Sequence, residues 1–449
     1  MLYSIIHNLS LITLKLFFNK VSILDKDKVP KNTPVIFVAN HPNFFMDPLI
    51  VGSCCPRILH FFAKSTIFNS SLKKYFLRKL NLIPIFRKID DEKNMGNNAN
   101  SFIKGYEILE NNGAFLIFPE GISMGRRVLE KLKTGAARIG LEAEDRNGFS
   151  LNTCIIPIGI SYSDLVRFRS DVMVRFGEPI YLSEYENLYE LNAKDTVRKL
   201  TGEIERSLNR LTNYIQNDEI EDIVEGLELI YKMELMTELG MELDDKNDDF
   251  TTSKLLTDAV QWYNIHDPAL ISEFRKKLNE YLGLLRQLDI RDEFLDPARQ
   301  EVRKWGKTRT IIFLVLGAPL FFYGLITNYL PYKIPRLLVK TNNKHLSEMA
   351  SWKLIYGFIL FVIYYALVIM LFWKFSANIT LLILFIMSLI PSGNFALFYS
   401  KSLIKYRQHV RFLSMFYRRR SIVFDIIKQR IELLKLIDDS KNKYIEDMS

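Results

Sequence analysis

The chain has 449 residues, too many for one ordinary hydrophobic core, so two or more folded units are expected. Its composition, 48% hydrophobic and 25% charged, is that of a folded protein rather than a disordered one. A formal charge of +9 suits an anionic surface or substrate, and with no DNA- or RNA-binding signature in the sequence it points to lipid and away from nucleic acid.

The three cysteines offer neither a plausible disulfide nor metal-ligand spacing. Cys54 and Cys55 are adjacent and Cys154 is remote from both. They read as small buried hydrophobes in a reducing compartment.

Residues 1–20, "MLYSIIHNLSLITLKLFFNK", lack the basic start and small-residue cleavage site of a signal peptide. The stretch is apolar with sparse charge. It fits a core helix, and better a helix lying in a membrane interface. From about 34 to 180, short apolar runs alternate with helix-like stretches. "PVIFVA", "ILHFFA", "LIPIF", "GAFLIF", "CIIPIGISY" and "VMVRFG" read as strands. "SSLKKYFLRKL", "NANSFIKGYEILENN" and "TGAARIGLEAE" read as helices between them. This alternation predicts an α/β sandwich with largely buried strands, over residues 21–215.

Residues 216–308 change character. Charged amphipathic segments predict helices packed on one another, without evident chemistry. His266-Asp267-Pro268 within them reads as a helix cap. A membrane region is expected over 309–400. Ile311–Tyr332, Leu354–Trp373 and Ile379–Ser400 are uncharged and each long enough to cross a bilayer. The first contains Pro319 and Pro331 and is expected to be re-entrant or broken over 309–332. With 354–373 and 379–400 spanning, the basic clusters at 303–309, 333–344 and 401–420 all face the cytoplasm, as the positive-inside rule asks. Residues 401–449 then form a cytosolic amphipathic tail close to anionic lipid.

Two stretches carry candidate chemistry. In "NHPNFFMDP", His41 follows a strand and Asp47 precedes Pro48, a pattern that also suits Asp47 as a helix N-cap. An aspartate bonded to one imidazole nitrogen fixes the tautomer and leaves the other nitrogen basic. That is a catalytic base without a serine, and the acceptor hydroxyl would come from substrate. In "GAFLIFPEGISMGRR", a strand runs into the turn Pro119-Glu120-Gly121. Gly121 lets the backbone approach a ligand. Exposed amides, Ser123, Arg126, Arg127 and Lys133 could hold a phosphate, and Arg87, just past "LIPIF", is a suitable bidentate partner. Taken singly, each stretch fits a structural role as well: a loop-closing His–Asp pair, and a strand-to-helix turn beside a solvated basic patch.

Together, "NHPNFFMDP", "IPIFRK", "FPEGIS" and "CIIPIGISY" resemble, in order and rough spacing, the four motifs of the glycerolipid acyltransferases, which include glycerol-3-phosphate and 1-acylglycerol-3-phosphate acyltransferases. The resemblance covers roughly residues 1–215. The later helical and membrane regions are similar to the larger bacterial members and to fungal glycerol-3-phosphate acyltransferases. The resemblance implies transfer of a fatty acyl group from acyl-CoA or acyl-carrier protein to a glycerol-phosphate hydroxyl in phospholipid biosynthesis, without metal or cofactor. It makes His41 the base and Asp47 its orienter. It assigns Arg87, Glu120, Gly121, Ser123, Arg126 and Lys133 to substrate binding. It also implies an integral membrane enzyme with its catalytic unit on the cytoplasmic side of a bacterial inner membrane.

Two departures stand out. Five residues, Pro42–Met46, separate His41 from Asp47 where four are usual, a feature similar to the fungal branch. Ile122-Ser123 follows Glu-Gly where Thr-Arg is common, which removes a usual cation from the phosphate site. The competing expectations are acylation of another lysophospholipid or an amino-acid lipid, and a non-catalytic membrane scaffold.

Overall fold

A computed structural model describes residues 2–86, 98–215, 220–295, 306–342, 345–418 and 420–448. The chain divides into two compact units. One comprises residues 1–216 and 343–354, the other 217–342 and 355–449.

The first unit is built on an eight-stranded sheet. Its strands are β1 (Lys20–Leu24), β2 (Val35–Ala39), β3 (Leu59–Lys64), β4 (Leu82–Ile85), β5 (Ala114–Ile117), β6 (Cys154–Tyr162), β7 (Asp171–Phe176) and β8 (Ile180–Tyr181). They lie in the order β1-β7-β6-β2-β5-β3-β4, with β8 paired to β6. All pairs are parallel except β6 with β7 and β8. The central strands β2 and β5 are buried at every position, which is why they appear in the sequence as unbroken apolar runs.

Among the described residues six helices accompany the sheet: α1 (Leu2–Phe17), α2 (Met46–Cys54), α3 (Ser71–Lys79), α4 (Asn98–Glu110), α5 (Gly135–Arg146) and α6 (Glu186–Leu211). Ile36, Val38, Phe115, Ile117 and Ile155 project from one sheet face into a core completed by Leu109, Ile139, Leu200, Ile204 and Leu208. On the other face Phe37 meets Phe176 edge-on, Phe18 meets Tyr162, and Gly52 of α2 lies against the Phe61 ring. Helices therefore cover both faces, as a largely parallel sheet requires. α1 buries Leu14 and Phe17 and leaves a stripe of Ile5, Leu9, Ile12 and Leu16 exposed, the pattern expected of an interfacial helix.

Cys54, Cys55 and Cys154 are free and buried, and burial pushes their thiols up to about 11, 12 and 11. They pack as hydrophobes. Residues 345–354 also belong to this unit. Lys353 Nζ donates to the Val166 carbonyl at 2.8 Å, and the backbone of Leu346 and Ser347 lies against Gly125.

Two local features differ from the sequence reading. β1 was not expected: "KVSIL" is short and partly charged, and it becomes a strand by pairing in parallel with β7 at the sheet edge. Asp47 is not a helix cap. α2 starts at Met46, so Asp47 lies in its first turn and its carboxylate is used elsewhere.

The second unit is helical. It contains α7 (Glu221–Ile230), α8 (Lys232–Glu238), α9 (Lys246–His266), α10 (Pro268–Leu288), α11 (Gly306–Thr341), α12 (Leu346–Ser376, from residue 355), α13 (Ile379–Arg418) and α14 (Arg420–Met448). Asp267 caps α10 as the sequence suggested, accepting from the Leu270 N–H with Pro268 in the first turn. A buried ion pair links α14 to the end of the α10 segment. Arg430 donates from Nε to Asp292 Oδ1 at 2.9 Å, and the Tyr281 hydroxyl donates to the same oxygen at 2.5 Å.

α11, α12 and α13 are long and apolar enough to cross a bilayer. The first run, expected to be re-entrant or broken, is one continuous helix that carries Pro319, Pro331 and Pro335. Each proline removes a backbone N–H, but a close antiparallel neighbour supports the helix. A Cβ on Gly324 would meet the Ser392 carbonyl at 2.2 Å, and Asn328 Nδ2 donates to Leu389 O on α13. Small residues at such a seam let the two backbones approach. Residues 401–449 are not a separate tail either. Residues 401–418 complete α13 and 420–448 form α14, where Asp438 accepts from the Tyr231 hydroxyl and the Ser440 carbonyl from that of Tyr263.

Candidate active site

The parallel strands β6, β2 and β5 are adjacent, so their carboxyl ends lie together. His41 follows β2, Phe118-Pro119-Glu120 follow β5, and Tyr162 ends β6. In open α/β sheets this edge is where ligands bind.

His41 Nδ1 lies 2.9 Å from Asp47 Oδ2. The imidazole stacks on Phe118, with centroids 4.0 Å apart and planes 17° from parallel. Its side chain keeps 16% exposure, whereas Asp47 is fully buried. Asp47 is charge-compensated by donors: the Asn43 N–H reaches Oδ2 at 2.7 Å, and the Tyr162 hydroxyl reaches Oδ1 at 2.5 Å. Burial, then the adjacent Asp47, push the Tyr162 phenol well above its usual range, so it stays a donor. With Nδ1 carrying the proton towards Asp47, Nε2 is left with its lone pair as an acceptor.

The loop that spans the extra residue is fixed at several points. Asn43 Nδ2 donates to Leu165 O at 2.8 Å, Phe44 N–H donates to Ser123 Oγ at 2.7 Å, and Gly125 N–H donates to Pro42 O at 3.1 Å. Phe44 has φ +29°, a strained value for a bulky residue that this loop holds in place. The longer spacing therefore does not part His41 from Asp47. Behind them Asn40 bridges β2 to β6, donating to Ile160 O and accepting from Ile160 N–H.

Glu120, expected in substrate binding, acts here through the backbone. Its carboxylate accepts from His41 N–H at 2.8 Å and from Glu130 N–H at 3.3 Å, and it is 4% exposed. Burial outweighs these donors and pushes its carboxyl up to about 7. Gly121 has φ +73°, a left-handed conformation that favours glycine, and Lys133 Nζ lies over the turn, 2.4 Å from where a Cβ would sit. Ser123 braces the His41 loop, and Arg126 is an exposed residue of the same segment. Arg87 lies outside the described residues. The structure thus gathers His41, Asp47, Glu120, Gly121, Ser123 and Lys133 at one edge.

Sequence reasoning missed Asn40, Asn43, Phe118 and Tyr162 as positioning residues. Tyr162 ends a quoted motif strand, which was a usable signal. That its hydroxyl reaches Asp47 depends on strand pairing across 115 residues of chain.

Residues 20–161 match the family model described as Acyltransferase. Two Saccharomyces cerevisiae proteins are similar. Glycerol-3-phosphate O-acyltransferase 1 is 28% identical over 204 residues, covering 44% of this chain and 26% of the yeast protein. Glycerol-3-phosphate O-acyltransferase 2 is 28% identical over 136 residues, covering 30% and 18%. The matched segments thus span about a quarter and a fifth of the yeast chains' length. Among solved structures, that of the 1-acyl-sn-glycerophosphate (LPA) acyltransferase PlsC from Thermotoga maritima aligns with TM-score 0.36 and 18% identity over 46% of this chain and 79% of that one. The family match falls on the segment that carries the His41–Asp47 pair, and residues 20–161 form an Acyltransferase-family segment similar to the glycerolipid acyltransferase superfamily.

Proposed function

We propose that this protein is a membrane-bound O-acyltransferase that moves a fatty acyl group from acyl-CoA or acyl-carrier protein to a hydroxyl of glycerol-3-phosphate or 1-acylglycerol-3-phosphate, within phospholipid biosynthesis. The observation that carries this reading is the arrangement about His41, whose Nδ1 is held by a buried Asp47 that itself takes donors from Asn43 and Tyr162. His41 Nε2 takes the proton of the acceptor hydroxyl as its oxygen attacks the thioester carbonyl. The resulting tetrahedral adduct collapses, breaking the carbon–sulfur bond. The imidazolium then returns its proton to the departing thiolate, giving ester and free thiol. No acyl-enzyme forms in this scheme. Asp47 holds the ring and stabilises the transient imidazolium.

The Pro119–Gly121 turn with Lys133 supplies a cation where the acceptor phosphate is expected, and Arg126 and Arg87 complete the candidate set. Anchoring the phosphate raises the effective concentration of the hydroxyl at the base. A degenerate scaffold would have no need to keep Asp47 buried with two donors.

Membrane residence follows in this reading from α11–α13, with the donor and the catalytic unit on the cytoplasmic side of a bacterial inner membrane. α12 and α13 cross, and a bend of α11 at Pro331 and Pro335 returns its C-terminal end to the cytoplasmic side. The basic clusters at 303–309, 333–344 and 401–420 support this. So does the membership of residues 2–215 and 345–354 in one folded unit. The reading is tested by supplying reconstituted protein with acyl-CoA or acyl-carrier protein and a panel of lipid acceptors, read by lipid mass spectrometry. Acylated glycerol-3-phosphate or 1-acylglycerol-3-phosphate is expected. Product on another lysophospholipid or an amino-acid lipid alone would reassign the acceptor, and folded protein inactive on every acceptor would favour the scaffold.

A further inference from the structure

α3 is unusual for a helix on a folded unit, because none of its residues is buried. Leu72, Tyr75 and Phe76 are 68%, 55% and 46% exposed, and their spacing puts them on one face. Lys73, Lys74, Arg78 and Lys79 share the helix, and Lys79 Nζ lies 4.6 Å from the Tyr75 ring centroid. Beside this face is an open cleft of about 520 Å³ lined by Lys64, Ile67, Leu72, Lys73, Phe76 and Leu77. Its inner wall adjoins the catalytic loop, since Lys64 Nζ sits 5.4 Å over the ring of Phe44.

Charge decides what such a face accepts. Between Asp47 and Asp90 the sequence has no Asp or Glu, while Lys73, Lys74, Arg78 and Lys79 lie on α3 and Lys64 at the cleft. An acidic protein partner would also meet these cations. The apolar face, however, consists of three side chains on one short helix, far below the area of a stable protein interface. Apolar side chains ringed by snorkelling lysines and an arginine match the headgroup–acyl boundary of an anionic leaflet.

We propose that α3 and the adjoining cleft form a docking surface for anionic lipid, seating Leu72, Tyr75 and Phe76 in the leaflet and opening the cleft towards Phe44 and His41. This docking is separate from anchoring by α11–α13. It deepens the acyl-transfer reading by giving a lipid acceptor a route to the base, but its test needs no turnover.

The test uses the full chain in nanodiscs, with Tyr75→Cys carrying an environment-sensitive fluorophore. The native cysteines are buried and would not compete for the label. Spin-labelled lipid should quench the fluorophore in discs containing phosphatidylglycerol, and much less in purely phosphatidylcholine discs. Adding Lys73→Gln should lower the docked-to-free ratio about fivefold, and Lys73→Gln with Arg78→Gln further still. Raising salt should act in the same direction. Absence of quenching in anionic discs, or quenching indifferent to lipid charge and to these substitutions, would overturn the proposal. Because the fluorophore reads depth rather than product, an inactive protein that docks would sink the acyl-transfer reading and leave this one standing. Tyr75→Cys with unchanged thermal unfolding shows that the label has not disrupted the unit.

Discussion

Removing one hydroxyl tests how the site is braced. Tyr162→Phe keeps the ring that packs against Phe18, 5.9 Å away, and deletes only the donor 2.5 Å from Asp47 Oδ1. Asp47 is fully buried, so no water replaces that donor at the surface. Leaving a buried acceptor unsatisfied costs about 1–3 kcal/mol. Felt wholly in the transition state, where Asp47 must hold an imidazolium, this equals about 5- to 150-fold in rate. The Asn43 N–H still holds Oδ2 at 2.7 Å, the oxygen that faces His41. The expected loss therefore falls in the lower part of that range, about 5- to 30-fold in kcat, with KM for the acceptor little changed. Initial rates on reconstituted protein, with thermal unfolding in parallel, separate the two effects. An unchanged kcat beside a lowered Tm would show that Tyr162 serves packing alone, and the bracing argument would fail.

Further outcomes follow from the same geometry. Gly121→Ala forces a Cβ into a left-handed position and onto Lys133 Nζ, so KM for the phosphate-bearing acceptor should rise more than kcat falls, and an unchanged KM would remove Lys133 from the acceptor site. The Glu120 carboxyl is raised from 4.5 to about 7, so between those values the folded chain holds a proton that the unfolded chain has released, and stability falls as pH rises through the window. That contribution is about 3 kcal/mol, and Glu120→Gln should flatten the corresponding decline in Tm; an unaltered slope would refute it. Arg430→Met leaves the Asp292 carboxylate buried beside Tyr281 and should destabilise the second unit by about 3–5 kcal/mol, much of it recovered by adding Asp292→Leu.

The sequence showed most plainly what burial dictates locally. "VIFVA" and "AFLI" are apolar throughout because β2 and β5 are covered on both faces, and their periodicity needed no tertiary knowledge. The Asp267-Pro268 cap was legible for the same reason, since its partner is three residues away. Asp47-Pro48 has the same local pattern with a different outcome, because His41, Asn43 and Tyr162 take the carboxylate first. No local rule reveals that competition. The prolines of α11 mislead in the opposite direction. They mark a helix weak on its own, and the support from Ser392, Leu389 and Tyr399 on α13 lies outside the window in which a proline is read. Of the site itself, His41, Asp47 and the Glu120-Gly121 turn could be named from motif order. The bracing by Asn40, Asn43 and Tyr162 required the sheet.

The central claim is that His41 takes the proton of the acceptor hydroxyl, and His41→Ala tests it most directly. Product formation from acyl donor and glycerol-phosphate acceptor would be followed by mass spectrometry for wild type and variant, with Tm confirming the fold. The account predicts a loss of about 10²–10⁴ in kcat with the unit still folded. Turnover near the wild-type rate in that variant would contradict it.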